Sequence, residues 1–152
     1  YRLVAIGALM TMSLLPVAAD NGTRDDVDGD LVLMQGKWKL VEFAYYESGN
    51  QDRVVKAQHN GLRIVTGNKY HMKLRLRGQL IDRDYTFKLY PYQTPKAFDV
   101  TLPDGRVVKG IYEVDGTRLR RCYSHPDAQR PQQFQAGTQT YQEWDRVVEV
   151  PK

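Results

Sequence analysis

The sequence predicts an all-β protein built as an eight-stranded antiparallel up-and-down barrel with one or two short helical turns. Two observations lead to this class. Apolar and polar residues alternate with a period of two over most of residues 36–149, and residues that favour turns recur about every 8–12 positions. Nearly all connections are too short for crossovers, so neighbouring strands should pair antiparallel. Closure into a barrel removes the exposed edges that an open meander would leave.

The alternation divides the chain into eight strands. In the first of them, Trp38 and Leu40 share one face whereas Phe43 and Tyr45 share the other. This change of phase predicts a β-bulge, a feature that barrels use to bend their strands. The predicted strands cover residues 36–46, 61–66, 69–77, 80–90, 96–102, 106–114, 117–123 and 140–149.

Two connections are longer than the rest. Residues 47–60 contain the segment DRVVKAQ, which is compatible with a helical turn. Residues 124–139 form a glutamine-rich loop with two prolines. Long loops in compact domains are usually functional lids or disordered segments, and both interpretations stay open here.

The first 19 residues differ from the rest of the chain. Arg2 precedes an apolar run that ends at Leu15, and Val17 and Ala19 occupy the positions that a signal peptidase reads. The run is shorter than the roughly 20 residues that a membrane-spanning helix needs. We therefore predict a signal peptide over residues 1–19, a flexible acidic leader over 20–29 and one barrel domain over 30–152. The predicted location is the periplasm or the cell exterior.

Composition excludes several classes of function. The chain has 22 Lys and Arg against 18 Asp and Glu, without a basic block, so nucleic acid is not an expected partner. The single Cys122 forms no internal disulfide, and the three histidines lack metal-ligand spacing. No nucleophile and base can be assembled into a catalytic group. We therefore expect no metal, no cofactor and no enzymatic activity, and a monomer without membrane attachment once the signal peptide is removed.

A Gly-x-Trp triplet, Gly36-Lys37-Trp38, begins the first predicted strand, and Asp30 is placed to cap a short turn before it. Together with GLRIVTGNKY at 61–70 and RLRRCY at 118–123, this opening resembles an uncharacterised family of exported planctomycete proteins, commonly labelled lipocalin-like. The resemblance covers residues 30–148. It implies a lipocalin-like (calycin-type) barrel and export, but no reaction.

In lipocalin-type barrels, the glycine of this triplet lets the backbone pass closely at the closed end and the tryptophan plugs the barrel floor. An arginine near the last strand stacks on that tryptophan. The resemblance implies these roles for Gly36 and Trp38 and makes Arg146 the candidate arginine. Two alternatives stay open: Arg146 is an ordinary surface arginine, or Trp144 is the ring that is covered instead.

Three tyrosines are candidate ligand-binding residues. Tyr85, Tyr112 and Tyr123 occupy the inward phase of three different strands. A tyrosine hydroxyl inside a barrel needs a hydrogen-bond partner, which a ligand can supply. The alternative is that each hydroxyl reaches the rim of the barrel and is solvated there.

Arg121 is the fourth candidate. It shares a strand face with Leu119 and Tyr123, so the alternation points its side chain inward, where a charge is unfavourable unless it is paired. The resemblance implies an apolar residue at this position, which makes Arg121 a departure. Either Glu42 neutralises Arg121 from inside the barrel, or Arg121 and Tyr123 hold the head group of an anionic ligand. The second arrangement is similar to the Arg-x-Tyr pair of fatty-acid-binding barrels.

These observations predict a non-enzymatic barrel outside the cytoplasm that binds a small apolar or anionic amphiphilic ligand, such as a fatty acid. The alternative function is a barrel filled by its own side chains that acts as a protein–protein interaction module. A cavity of about 300 Å³ or more, the usual scale of a ligand site, would separate the two.

The first testable prediction concerns the processing of the chain. The Val-Ala-Ala-Asp boundary at 17–20 predicts a mature protein that begins at Asp20. N-terminal sequencing of exported protein should read Asp20 first. Retention of the apolar segment would contradict the prediction and point to a membrane tether.

Overall fold

The computed structural model describes residues 24–46, 54–57, 60–76, 78–135 and 139–150. The predicted signal peptide lies outside these residues. The described chain forms one helix and nine strands. In chain order they are α1 (Arg24–Met34), β1 (Gly36–Tyr46), β2 (Val54–Ala57), β3 (Leu62–Thr66), β4 (Lys69–Leu76), β5 (Gln79–Tyr90), β6 (Ala97–Thr101), β7 (Val107–Val114), β8 (Arg118–Tyr123) and β9 (Thr140–Arg146).

The strands form a closed antiparallel barrel with eight positions. From β3 to β9 each strand pairs with the next in sequence, and β9 pairs back to β1. The short strand β2 pairs with the second half of β1, and β3 pairs with the first half on the same edge. Because β2 and β3 share one position in the wall, nine strands make an eight-stranded up-and-down barrel. The predicted fold class is confirmed.

The bulge predicted in the first strand is confirmed as well. The pairing of β1 with β9 shifts register between Leu40 and Glu42. Trp38 and Leu40 are buried before the shift, and Phe43 is buried after it. The extra residue therefore lets one long strand keep apolar side chains in the core on both sides of a bend.

Two segments differ from the sequence-based expectation. Residues 54–57 belong to the segment that the sequence makes compatible with a helical turn, but they form strand β2. Strand β1 extends far enough to pair with them, and β-branched valines favour a strand. The helix α1 begins at Arg24, inside the segment expected to be a flexible leader, and it is a full α-helix rather than a short turn. Its sequence has only a weak amphipathic pattern. Contacts with the barrel at the C-terminal end of α1 therefore stabilise the helix.

Those contacts form the closed end of the barrel. The Trp38 side chain is 0% exposed, and its Nε1 donates to the carbonyl oxygen of Met34 at 2.8 Å. The guanidinium carbon of Arg146 lies 4.3 Å from the centroid of the Trp38 ring. The same guanidinium donates to the carbonyl oxygens of Leu33, Gln35 and Gly116. Arg146 thus binds carbonyls that the end of α1 leaves without helical partners.

Gly36 is required at this closed end for two reasons. Its φ of +102° lies in a region that residues with a side chain rarely adopt. A Cβ atom at this position would also lie 3.0 Å from Nη1 of Arg146. Glycine therefore lets the chain turn from α1 into β1 while the guanidinium reaches the backbone.

A substitution at Trp38 tests the closed end. We expect Trp38→Ala to lower the free energy of unfolding by about 3–5 kcal/mol, because it removes a fully buried ring and leaves a cavity. Urea denaturation followed by circular dichroism measures the change. Tyr92→Ala is the control, since Tyr92 is 47% exposed, and it should cost less than about 1 kcal/mol. Equal effects of the two substitutions would contradict the assignment of Trp38 as the plug.

Candidate functional site

An internal cavity of about 100 Å³ lies between the closed end and the open end of the barrel. Three of the four predicted ligand-binding residues line it: Tyr85 on β5, and Arg121 and Tyr123 on β8. The wall also includes Arg63 of β3 and Gln142 of β9. A smaller cavity of about 20 Å³ continues toward α1, and the two arginines line both spaces.

Arg121 points into the barrel, as the strand alternation predicted, and is 5% exposed. Its guanidinium carbon lies 4.2 Å from the centroid of the Phe98 ring and faces the rings of Tyr70 and Tyr123 at 5.4 and 5.7 Å. Among the described residues, its contacts are with aromatic rings, and it takes part in no ion pair between them. Aromatic faces thus stabilise this charge where a carboxylate was the expected alternative.

Arg63 is a second buried arginine in the same wall, and its side chain is 2% exposed. Its guanidinium carbon lies 4.4 Å from the ring centroid of Tyr70 and 4.3 Å from that of Trp144. Nη2 donates to Oε1 of Gln142 at 3.2 Å, whereas the buried Nε has no hydrogen-bond partner. Burial, and then the positive charge of Arg121, lower the pKa of Arg63 to about 9. At neutral pH the guanidinium is still charged.

Sequence reasoning did not identify Arg63, because the strand that carries it has an ambiguous pattern. In the run Leu62-Arg63-Ile64-Val65, three of four residues are apolar, and both faces of the strand therefore look buried. The structure places Arg63 and Val65 inside and leaves Ile64 38% exposed. The pairing of β3 with β1 and β4, which a single sequence does not display, decides the face.

Tyr123 and Tyr85 complete the polar part of the cavity wall. The hydroxyl of Tyr123 accepts a hydrogen bond from Nε2 of Gln142 at 3.2 Å, and burial raises the pKa of Tyr123 to about 12. The ring of Tyr85 stacks on Tyr70 with centroids 5.0 Å apart, and burial followed by the proximity of Tyr70 raises the pKa of Tyr85. Both hydroxyls are therefore protonated at neutral pH and able to donate.

Tyr112, the remaining predicted ligand-binding residue, does not line the cavity. It is fully buried, and its hydroxyl donates to Oδ2 of Asp30 at 2.7 Å. Nζ of Lys96 donates to the same carboxylate at 2.9 Å. The expectation that Asp30 caps a turn is wrong: Asp30 lies inside α1 and fastens the helix to β7. The strand phase placed Tyr112 inside correctly, but a protein carboxylate satisfies its hydroxyl.

The position of Phe98 under Arg121 depends on Gly110. Residues Phe98 of β6 and Gly110 of β7 are directly opposite in the ladder. A Cβ atom at position 110 would overlap the Phe98 ring and would lie 2.7 Å from the carbonyl oxygen of Cys122. The missing side chain therefore creates the space for the aromatic surface on which Arg121 rests.

A groove at the open end of the barrel adjoins the cavity. Its volume is about 470 Å³, and Leu102, Val108 and Tyr123 line both spaces. Further apolar side chains from several elements line the groove: Phe43, Tyr45, Leu76 and Pro126. Its polar residues include Arg106 and His125. The cavity, which two arginines line, thus continues into a larger space whose wall combines apolar and polar side chains.

The described part of the long loop, residues 124–135 and Gln139, packs mainly against the outside of the barrel. Arg130 donates to the carbonyl oxygens of Phe98 and Gly110 at 2.7 and 2.8 Å and forms an ion pair with Asp99 at 2.7 Å. Sγ of Cys122 donates to the carbonyl oxygen of Gln135 at 3.4 Å, and burial raises the pKa of this thiol to about 11. These contacts fix the loop as a strap across β6 to β8.

The comparisons with known proteins show no relative. No family model, curated protein or solved structure matches this chain. Of what the resemblance implies about the fold, the structure shows the closed eight-stranded antiparallel barrel, and no family is identified. In the described residues no helix is long and apolar enough to cross a membrane, and no three His, Cys, Asp or Glu side chains are grouped to hold a metal ion.

Gly110→Ala tests the support beneath Arg121. We expect it to lower the free energy of unfolding by about 1–3 kcal/mol, because the added methyl group forces Phe98 out of its position. Gly29→Ala is the control, since a Cβ at this exposed position in α1 meets nothing within 4 Å. The control should raise stability by up to about 1 kcal/mol through helix propensity. Urea denaturation midpoints compare the two, and an unchanged midpoint for Gly110→Ala would contradict the assignment.

Proposed function

We propose that this protein is a non-enzymatic binding barrel for an anionic amphiphile, with Arg121 and Tyr123 as its head-group contacts. The observation that carries the proposal is the state of Arg121. Its guanidinium is buried on the wall of a cavity, and the described residues supply no carboxylate to it. A buried charge of this kind is strongly stabilised when a ligand brings the opposite charge.

The dimensions of the two adjoining spaces support an amphiphilic ligand. The inner cavity of about 100 Å³ is too small for a whole organic ligand, because such sites usually measure about 300–1,000 Å³. The groove of about 470 Å³ at the open end adds the missing volume and has a mainly apolar lining. An anionic group in the cavity and an apolar part in the groove would use both spaces.

The remaining features of the proposal come from the sequence. The signal-peptide pattern supports action in the periplasm or outside the cell. The lack of basic blocks supports a protein without a nucleic-acid partner, and we also propose that it acts as a monomer.

One observation favours a second function, a filled barrel that acts through its surface in protein–protein contact. The two spaces inside the barrel measure only about 100 and 20 Å³, and large side chains occupy most of the interior. An eight-stranded barrel is narrow enough to be filled in this way. Under this alternative, the two buried arginines hold the interior together through aromatic contacts and the hydrogen bond of Arg63 to Gln142.

The binding of dodecanoate compared with dodecanol separates the two functions. A charge-assisted hydrogen bond to arginine adds about 1.5–3 kcal/mol, so we expect the acid to bind roughly tenfold to a hundredfold more tightly than the alcohol. Arg121→Leu should abolish this preference. Arg75→Leu removes the same charge from an exposed outward position on β4 and should keep it. Calorimetric titration below the critical micelle concentration measures all affinities.

The melting temperature of ligand-free Arg121→Leu gives an independent result. Since Arg121 forms no ion pair with an acid of the described residues, we expect its loss to leave none of those acids unpaired. The substitution should then not cause the loss of about 3–5 kcal/mol that follows when a buried ion pair is broken. A large fall in melting temperature, together with no binding of dodecanoate by the parent protein, would overturn the binding function and leave the interaction module as the better assignment.

A further inference from the structure

The cavity holds two positive charges, not one. Arg63 and Arg121 reach it from β3 and β8, and both guanidinium groups face the ring of Tyr70, at 4.4 and 5.4 Å from its centroid. Neither takes part in an ion pair within the described residues. Two like charges in one buried space repel each other, and a ligand with a single negative charge compensates only one of them.

The hydrogen-bond donors around the cavity also exceed the needs of a carboxylate. Arg121 has ring contacts where hydrogen bonds would be expected, and among the described residues Gln142 supplies the one oxygen acceptor of the Arg63 guanidinium. Gln142 binds Arg63 through Oε1 and Tyr123 through Nε2, so the amide holds both residues in place. The Tyr123 hydroxyl accepts from Gln142, and its own proton can be donated to a ligand. A group with three terminal oxygens would match these donors.

We propose that the anionic group bound between Arg63 and Arg121 is a dianionic phosphate monoester carried on an apolar chain. This inference rests on the proposed function and specifies its ligand class. A phosphate monoester carries a charge of about −1.5 to −2 at neutral pH and offers three acceptor oxygens. It therefore compensates both guanidinium groups, whereas a carboxylate leaves one of them buried and unpaired. Forked arginine donors suit phosphate geometry as well.

The test compares four probes by calorimetric titration: dodecyl phosphate, dodecanoate, dodecanol and inorganic phosphate. We expect dodecyl phosphate to bind at least about tenfold more tightly than dodecanoate, since it forms one more charge-assisted contact. Arg63→Met keeps an apolar stem between Tyr70 and Trp144. It should lower the affinity for dodecyl phosphate to that for dodecanoate. Arg63→Lys should keep part of the preference, and Arg75→Leu should keep all of it.

The dependence on pH provides a second readout. The affinity for dodecyl phosphate should fall between about pH 8 and about pH 5.5, because the second phosphate proton has a pKa of about 6. The ionisable groups that face the cavity from every strand that lines it are all arginines and tyrosines: Arg63, Tyr70, Tyr85, Arg121 and Tyr123. None of these residue types titrates in that range. Arg106 and His125 line the adjoining groove, where the apolar chain of the ligand would lie, and His125→Gln is the control for that part of the site. The fall should therefore belong to the ligand and persist in Arg63→Lys and in His125→Gln.

Each outcome decides at least one of the two claims, the anionic amphiphile and the phosphate dianion. Equal affinities for dodecyl phosphate and dodecanoate, both higher than the affinity for dodecanol, would overturn the claim that the ligand is a dianion. The proposed binding of an anionic amphiphile would still hold. Binding of dodecyl phosphate no tighter than dodecanol would overturn both. If inorganic phosphate binds as tightly as dodecyl phosphate, the site binds a dianion but gains nothing from an apolar chain. That result would refute the proposed amphiphilic ligand. If Arg63→Met fails to fold, the comparison of Arg63→Lys with the parent, and the pH dependence of the parent, decide the question.

Discussion

The guanidinium of Arg146 is the contact on which the closed end of this barrel depends. It lies on the Trp38 ring and binds carbonyl oxygens on both sides of that ring, from the end of α1 and from the turn before β8. Arg146 stands directly opposite Trp38 in the β1–β9 ladder, so the pairing that closes the sheet also brings the arginine to its acceptors. Closure of the wall, attachment of α1 and burial of Trp38 therefore all depend on the same residue.

The arginines of this protein fall into two groups that differ in what surrounds them. Arg146 and Arg130 have acceptors for their donors, carbonyl oxygens in one case and carbonyls with a carboxylate in the other. Arg63 and Arg121 have aromatic rings around them and a cavity in front of them. Arginine serves as a structural clamp in the first group. In the second group, the positive charges have no carboxylate partner among the described residues. This contrast within one chain is the reason for the proposed anionic ligand.

Much of the architecture could be predicted from the sequence because period-two alternation is a local property. The strands, the bulge after Leu40 and the inward direction of Arg121 all follow from which neighbours along the chain are apolar. What could not be predicted depends on pairing across long separations. The face of Arg63 is set by its partners in β1 and β4, and the hydroxyl of Tyr112 finds Asp30 at a separation of 82 residues. The volume of the cavity is likewise a property of all the side chains together.

The strap over β6 to β8 has a consequence for the redox chemistry of the chain. A lone accessible thiol in an oxidising compartment can join two chains through an intermolecular disulfide. Cys122 is fully buried, its Sγ is engaged with the Gln135 carbonyl oxygen, and its raised pKa keeps it a thiol at neutral pH. Since the thiolate is the form that reacts with oxidants, the buried and protonated Cys122 thiol should react slowly. The strap thereby allows a barrel without any disulfide to carry a cysteine and resist covalent dimerisation.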